Sequence, residues 1–421
     1  MQKSAIVSND RSYTWPETPI VVVCIDGSEP GYKGSDNGGY IDRAMAMGAM
    51  PFLSAAVKEG TFQTGDGVMP SFTNPNNLSI VTGCPPKVHG ICGNFFYEPV
   101  EDVEVMMNDP ALLKADTIFK AFADAGARVA VVTAKDKLRR LLGHGLHFGA
   151  GGAICFSVEA ADRTTLDGNG IENVTEMVGM AVPSVYSAEL SEFVLAAGVK
   201  LMQTMRPNIM YLSTTDYIQH KHAPGSERAN AFYAMMDRYF FWLDALGVVL
   251  AITADHGMKP KHDNGGNPNI IYLQPLLDRW IGAERARVIL PITDPYVVHH
   301  GALGGFATAY LPEDMNACEV IEKLREVTGI GLALTRAEAC QRFELPADRV
   351  GDIIVISEPS WVLGSAPERH DLSRLTAPLR SHGGLSEQRI PFILNRPTPG
   401  LQAVKRLRNF DIFDAALNYA R

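Results

Sequence analysis

The sequence predicts an α/β fold: a mostly parallel sheet sandwiched by helices, with a smaller α+β cap insertion. Three observations carry this. Short β-branched runs alternate with helical stretches along much of the chain. Three of those runs are followed closely by an aspartate, at Asp26, Asp216 and Asp255. In open parallel sheets, ligands bind outside the carboxyl ends of the strands, where these aspartates fall. The rhythm then breaks between about Asn264 and Arg380.

Taken in order, Ile20–Ile25 reads as a strand buried on both faces. A Gly/Ser/Asp-rich loop follows from Gly27 to Gly39, and a helix is expected from Pro51 to Gly60. A short helix over Asn74–Val81 follows a Pro/Asn-rich turn. A helix over Thr117–Ala125, stopped by Gly126, feeds a strand at Val129–Thr133. Helices over Ser187–Met205 and Glu227–Ala245 precede strands at Ile209–Thr214 and Val248–Thr253. Within the insertion, strands are expected at Ile270–Leu273, Ala307–Leu311 and Val350–Ser357, and helices at Cys318–Thr328 and Arg336–Phe343. An amphipathic helix near Ile412–Tyr419 closes the chain. The expected division is a catalytic core of residues 1–263 and 381–421 and a cap of residues 264–380.

Composition bounds the function. The chain has 421 residues, 46% hydrophobic and 20% charged, enough for a full core. A formal net charge of −9 argues against a nucleic-acid or anionic-membrane surface. It leaves a small anionic substrate open, because a local metal cluster can reverse the sign inside a pocket. Cysteines 24, 84, 92, 155, 318 and 340 form no CxxC pair and read as reduced thiols. No apolar run reaches the ~18–20 residues of a membrane span, and the start of the chain lacks a signal pattern. A cytoplasmic protein is therefore expected.

The candidate chemistry lies in the carboxylates and imidazoles. Asp216 and His220 are four residues apart, one helical turn, so both can share a face. Asp255 and His256 are adjacent and need a turn to converge. His382, in Ser-His-Gly-Gly, can approach from across the site on glycine-permitted turns. Alone, each has a bland reading: helix cap, solvated side chain or satisfied core histidine. Together they form an oxygen-plus-imidazole set without thiolate, suited to zinc, with manganese or a similar divalent ion compatible.

With these residues in view, the chain resembles the alkaline phosphatase superfamily. The likeness is closest to its branch of nucleotide pyrophosphatase/phosphodiesterases and phosphonoacetate hydrolases. The resemblance implies two zinc ions. Asp26, Thr73, Asp255 and His256 would hold the first, and Asp216, His220 and His382 the second. The stretch Pro70-Ser71-Phe72-Thr73-Asn74-Pro75-Asn76 carries the family's nucleophile turn, implying Thr73 as the nucleophile. Capping of the following helix is its structural alternative, and Ser71 is the competing hydroxyl. Thr82-Gly83 through Gly93-Asn94 matches a further stretch, implying that Asn94 donates to a phosphoryl oxygen and leaving His89 structural. Thr133-Ala134-Lys135-Asp136-Lys137, read as a loop, is similar to the segment that holds the substrate carboxylate in phosphonoacetate hydrolases. The alternative reading of that segment is a solvated charge run.

The resemblance therefore implies hydrolysis of phosphonoacetate to acetate and phosphate through a phospho-threonine. Thr73, Asn94, Lys135, Lys137, His220 and His382 would face the substrate. A phosphodiesterase or phosphomonoesterase on the same scaffold is the alternative. An inactive phosphonate-binding protein is the remoter one, since no ligand or nucleophile is missing. The implied partner is a small organophosphonate, with no nucleic acid and no membrane, in a homodimer.

Overall fold

The computed structural model describes residues 5–30, 38–293, 301–373 and 375–421. In chain order the strands that matter are β1 (Ile20–Cys24), β2 (Thr61–Asp66), β3 (Val129–Thr133), β4 (Ile154–Ser157), β5 (Ile209–Ser213) and β6 (Val249–Thr253). They continue with β7 (Arg287–Ile289), β8 (Phe306–Tyr310), β9 (Ile330–Thr335), β10 (Ile353–Ser357) and β11 (Arg389–Leu394). The central sheet has seven strands in the order β2-β11-β6-β1-β5-β3-β4. The five from β6 to β4 are parallel, and β11 runs antiparallel between β6 and β2.

The expected parallel core is thus present, and its β-branched runs are buried on both faces. Side-chain alternation sends successive residues to opposite faces. Val21, Val23, Met210, Leu212, Leu250 and Ile252 enter one core. Ile20, Val22, Cys24, Ile209, Tyr211, Val249 and Ala251 enter the other. Helices cover the first face, chiefly α6 (Glu189–Thr204) and α8 (Glu227–Ala245). Chain-order labels for the others are α1 (Tyr40–Ala46), α2 (Pro51–Glu59), α3 (Thr73–Thr82), α4 (Ile118–Asp124), α5 (Asp136–Leu142) and α7 (Tyr217–Lys221).

The strands and helices expected in the core are found within a few residues of their predicted ends. Three features differ. The antiparallel edge β2–β11 was not expected, because β2 is half-exposed and β11 contains Pro391. Strand β4 was likewise missed. The closing helix is only Ile412–Asp414, and Ala415–Tyr419 continues as a π turn. Of the expected Gly27–Gly39 loop, residues 31–37 lie outside the described residues.

Residues 264–380 contain the antiparallel sheet β7-β8-β10-β9. Its buried residues Phe306, Ala307, Val355 and Ile356 belong to the same apolar cluster as one face of the central sheet. Among the described residues, no helix is long and apolar enough to cross a membrane.

Candidate metal centre and adjoining cavity

The carboxyl ends of β6, β1 and β5 lie side by side, so the residues after them meet without long loops. Asp255, Asp26 and Asp216 follow these three strands in that order and are buried. Two ligand triads result: Asp26, Asp255 and His256, and Asp216, His220 and His382. In each, the candidate ligand atoms lie within 4.8 Å of one another. The triads adjoin, with the His256 and His382 rings stacked at 3.7 Å between centroids.

Local sequence explains each placement. Asp216 stands at the N-cap position of α7 with its side chain free of a capping bond, and one turn later His220 Nε2 stands 2.9 Å from Asp216 Oδ2. Gly27 has a φ of 71°, and a Cβ there would stand 3.0 Å from the Asp216 side chain, so glycine lets the two strand ends close. Gly383 has a φ of 115°, and a Cβ there would strike the Phe72 ring at 2.3 Å. The His382 loop can therefore lie against the turn before Thr73.

Each imidazole is oriented through Nδ1. His220 donates to the Arg380 carbonyl at 2.8 Å, His256 to Gly257 at 2.9 Å and His382 to Ser71 at 2.8 Å. That tautomer leaves every Nε2 lone pair facing the centre, as metal-ligating histidines require. His256 Nε2 then faces Asp26 Oδ1 at 3.3 Å, Asp255 Oδ2 at 3.6 Å and Thr73 Oγ1 at 3.4 Å. Ligands about 2.0–2.1 Å from one tetrahedral ion are themselves about 3.3–3.4 Å apart. Asp26 Oδ1 is also buried with no hydrogen-bond partner. A neutral His256 would turn a lone pair on these carboxylate oxygens, which is repulsive unless a proton or a metal cation lies among them, and the buried oxygen-and-imidazole set fits a divalent ion.

Electrostatics agree. Burial pushes the Asp26 carboxyl well up, and Asp216 and Asp255 add to it. Burial alone would lower the His256 imidazole, but Asp255, Asp26 and Asp216 outweigh it and hold it up to about 10. Burial works against ionisation of Asp216 too, yet His220, Lys135 and His382 hold it well below the usual carboxylate range. His382 is pushed down by burial and by its neighbours His256 and His220. The site is built around positive charge.

Thr73 does not cap α3. Phe72 occupies the cap position and Thr73 opens the helix, so its hydroxyl is turned to His256 rather than spent on the backbone. Ser71 is committed elsewhere, donating to the Gly384 carbonyl at 2.9 Å. Asn77, one turn into α3, was not singled out by the sequence. Its amide donates to Thr73 O at 3.0 Å and Asp255 Oδ2 at 3.3 Å, and accepts from Tyr211 and Ser213. It ties the hydroxyl-bearing turn to the Asp255 carboxylate.

A cavity of about 330 Å³ adjoins both triads. Its lining includes Asp26, Thr73, Asn94, Lys135, Lys137, Asp216 and His382. The Thr133–Lys137 segment is not a loop: Lys135 is the cap position of α5 and Lys137 lies in its first turn. Asp136 is fixed there by Ser157, Arg139 and Glu159. Asn94 donates to the Ile292 carbonyl at 3.2 Å, which brings the 264–380 segment to the cavity wall. His89 is structural, as expected: its Nδ1 accepts from the Ile91 amide and its Nε2 bonds Ser79 at 2.8 Å.

Comparison with known proteins places this geometry. The sequence model of the type I phosphodiesterase/nucleotide pyrophosphatase family matches residues 20–385. A phosphonoacetate hydrolase from Sinorhizobium meliloti 1021, solved in complex with phosphonoformate, is 57% identical over 100% of both chains, with a TM-score of 0.95. Its complex with phosphonoacetate gives 56% identity over the same span and the same TM-score. Murine ectonucleotide pyrophosphatase/phosphodiesterase 5 shares the fold at 18% identity over 96% of each chain, with a TM-score of 0.61.

Proposed function

The chain belongs to the type I phosphodiesterase/nucleotide pyrophosphatase family, and from that premise we propose that it hydrolyses the carbon–phosphorus bond of phosphonoacetate, giving acetate and phosphate. The observation that carries this reading is full-length identity of 57% to a phosphonoacetate hydrolase. The juxtaposition of Thr73, Lys135 and Lys137 around one cavity supports it.

In this reading Asp26, Asp255, His256 and Thr73 hold one zinc ion, and Asp216, His220 and His382 hold the other. Bound divalent ions supply Lewis-acid polarisation of phosphoryl oxygens and make a hydroxyl nucleophilic at neutral pH. Thr73 Oγ gives up its proton to solvent and forms a bond to phosphorus as the P–C bond breaks. The electron pair passes to the CH2–COO unit, which becomes enediolate-like and takes up a proton to leave as acetate. Lys135 and Lys137 stabilise the carboxylate on which that charge grows, so their effect is largest in the transition state. Asn94 donates to a phosphoryl oxygen, while His220 and His382 border the bound phosphoryl group. Water then hydrolyses the phospho-threonine and restores the Thr73 hydroxyl.

Residues 1–263 with 381–421 form the proposed catalytic core and residues 264–380 the cap, which contributes Ile292 to the cavity wall. The proposed setting is a cytoplasmic homodimer. The six free cysteines, of which Cys24, Cys84, Cys92 and Cys155 are buried, favour a reducing compartment.

The test is phosphate release from phosphonoacetate against hydrolysis of a nitrophenyl phosphodiester by one zinc-loaded preparation. Phosphonoacetate is expected to turn over far faster. The opposite ranking would make the chain a phosphodiesterase on this scaffold.

A further inference from the structure

Arg380 stands two residues before His382, in a two-residue strand paired with Lys259–Pro260 just beyond His256. It is buried. Its guanidinium reaches three other stretches of chain. Nε donates to the Gln219 carbonyl at 2.9 Å, and Nη2 donates to the Met258 carbonyl at 3.2 Å and the Tyr40 hydroxyl at 3.0 Å. Its own carbonyl accepts the Nδ1–H of His220. The Tyr40 hydroxyl in turn lies 3.0 Å from the Gln219 carbonyl and 2.8 Å from that of His222.

These contacts share a pattern. Gln219 immediately precedes His220, Met258 follows His256 by two residues, and Arg380 itself leads into His382. One side chain therefore joins the three segments that bring histidines to the two triads. Burying a guanidinium is unfavourable unless its donors are used, so a position needing only packing would be served better by an apolar residue. A planar fork with several donors can meet carbonyls in different directions, which a single ammonium cannot reproduce.

Resting on the two-ion reading above, we propose that Arg380, seconded by Tyr40, is a positioning residue that sets the affinity of the Asp216/His220/His382 site. The Arg380 carbonyl, its Nε and the Tyr40 hydroxyl all act on α7, which carries His220. Only one donor acts on the stretch after His256. The Asp26/Asp255/His256 site is correspondingly less dependent on Arg380.

The experiment titrates zinc into metal-stripped full-length protein against a chromophoric chelator. His220→Ala identifies which binding step belongs to the second site. Partners that orient metal ligands typically contribute about 10–100-fold in affinity. Arg380→Met should weaken that step by about this factor and leave the other within roughly threefold, with Arg380→Lys intermediate. Tyr40→Phe should weaken the same step by a smaller factor. Unchanged affinities in Arg380→Met, or equal loss of both ions with Tyr40→Phe as wild type, would overturn the proposal. Should Arg380→Met fail to fold, Tyr40→Phe decides: selective weakening of the second step supports the proposal and an unaltered isotherm refutes it. A wild-type protein that takes up fewer than two ions would instead sink the two-ion reading, whatever the variants do.

Discussion

The two ends of the cavity are built differently. At the candidate metal end, all three carboxylates and all three imidazoles are buried, and the carboxylates follow the ends of adjacent strands. Each histidine is locked by a backbone carbonyl. At the other end, Lys135 and Lys137 sit at the start of the seven-residue α5, and both are only partly buried. Rigid, desolvated groups suit the part of the reaction common to every phosphoryl transfer. The lysine end rests on one short helix, and Lys135 also acts on Asp216 through its charge. On the proposed reading, chemistry and selectivity occupy different regions, joined through that one charge.

The largest expected effect tests the metal end. Thr73→Ala should abolish phosphonoacetate turnover, by more than about 10³-fold, while zinc content stays that of wild type. Full activity in this variant would remove Thr73 as the nucleophile. The lysine end should respond more selectively. Lys135→Ala and Lys137→Ala should each lower kcat/KM for phosphonoacetate by about 10²-fold and largely spare phosphate esters without a carboxylate. Equal losses on both substrate classes would erase the distinction between the two ends.

The smallest effect lies behind the site. Burial and the nearby Arg349 push the His89 imidazole down to about 3, below the ~6.5 of an unfolded chain. The unfolded state therefore binds the extra proton first, and stability falls as pH drops from 6.5 towards 3. Between pH 6.5 and 5 this amounts to about 2 kcal/mol. In urea melts of metal-free protein, His89→Gln should flatten the acid-side loss by about that amount. An unaltered pH dependence would contradict the assignment of His89 as a buried neutral histidine.

Much of the candidate site was legible in the sequence because the residues that meet there follow local patterns. Asp26, Asp216 and Asp255 each come soon after a continuous apolar run, and Asp216 and His220 are one helical turn apart. Thr73 is flanked by prolines and asparagines that mark its turn. Residues that act through distant partners left no such trace. Asn77 meets Asp255 across 178 positions, and Arg380 meets Gln219 across 161. Glu387 is fully buried against Lys261 and accepts the Gly384 amide beside His382, a role for which its local sequence carries no mark. The same limit applies to the fold. The buried parallel strands announce themselves by composition, whereas β2 is an edge strand held by β11, and β11 is antiparallel to both its neighbours. The segment Lys135–Lys137 reads as a charged loop because the apolar face of α5, at Leu138, Leu141 and Leu142, begins only after it.

The central claim is that this chain seats two divalent cations side by side. Anomalous diffraction at the zinc edge from zinc-loaded crystals tests it most directly. The account predicts two peaks per chain, one among Asp26, Thr73, Asp255 and His256 and one among Asp216, His220 and His382. A single peak, or zinc bound away from these residues, would contradict it.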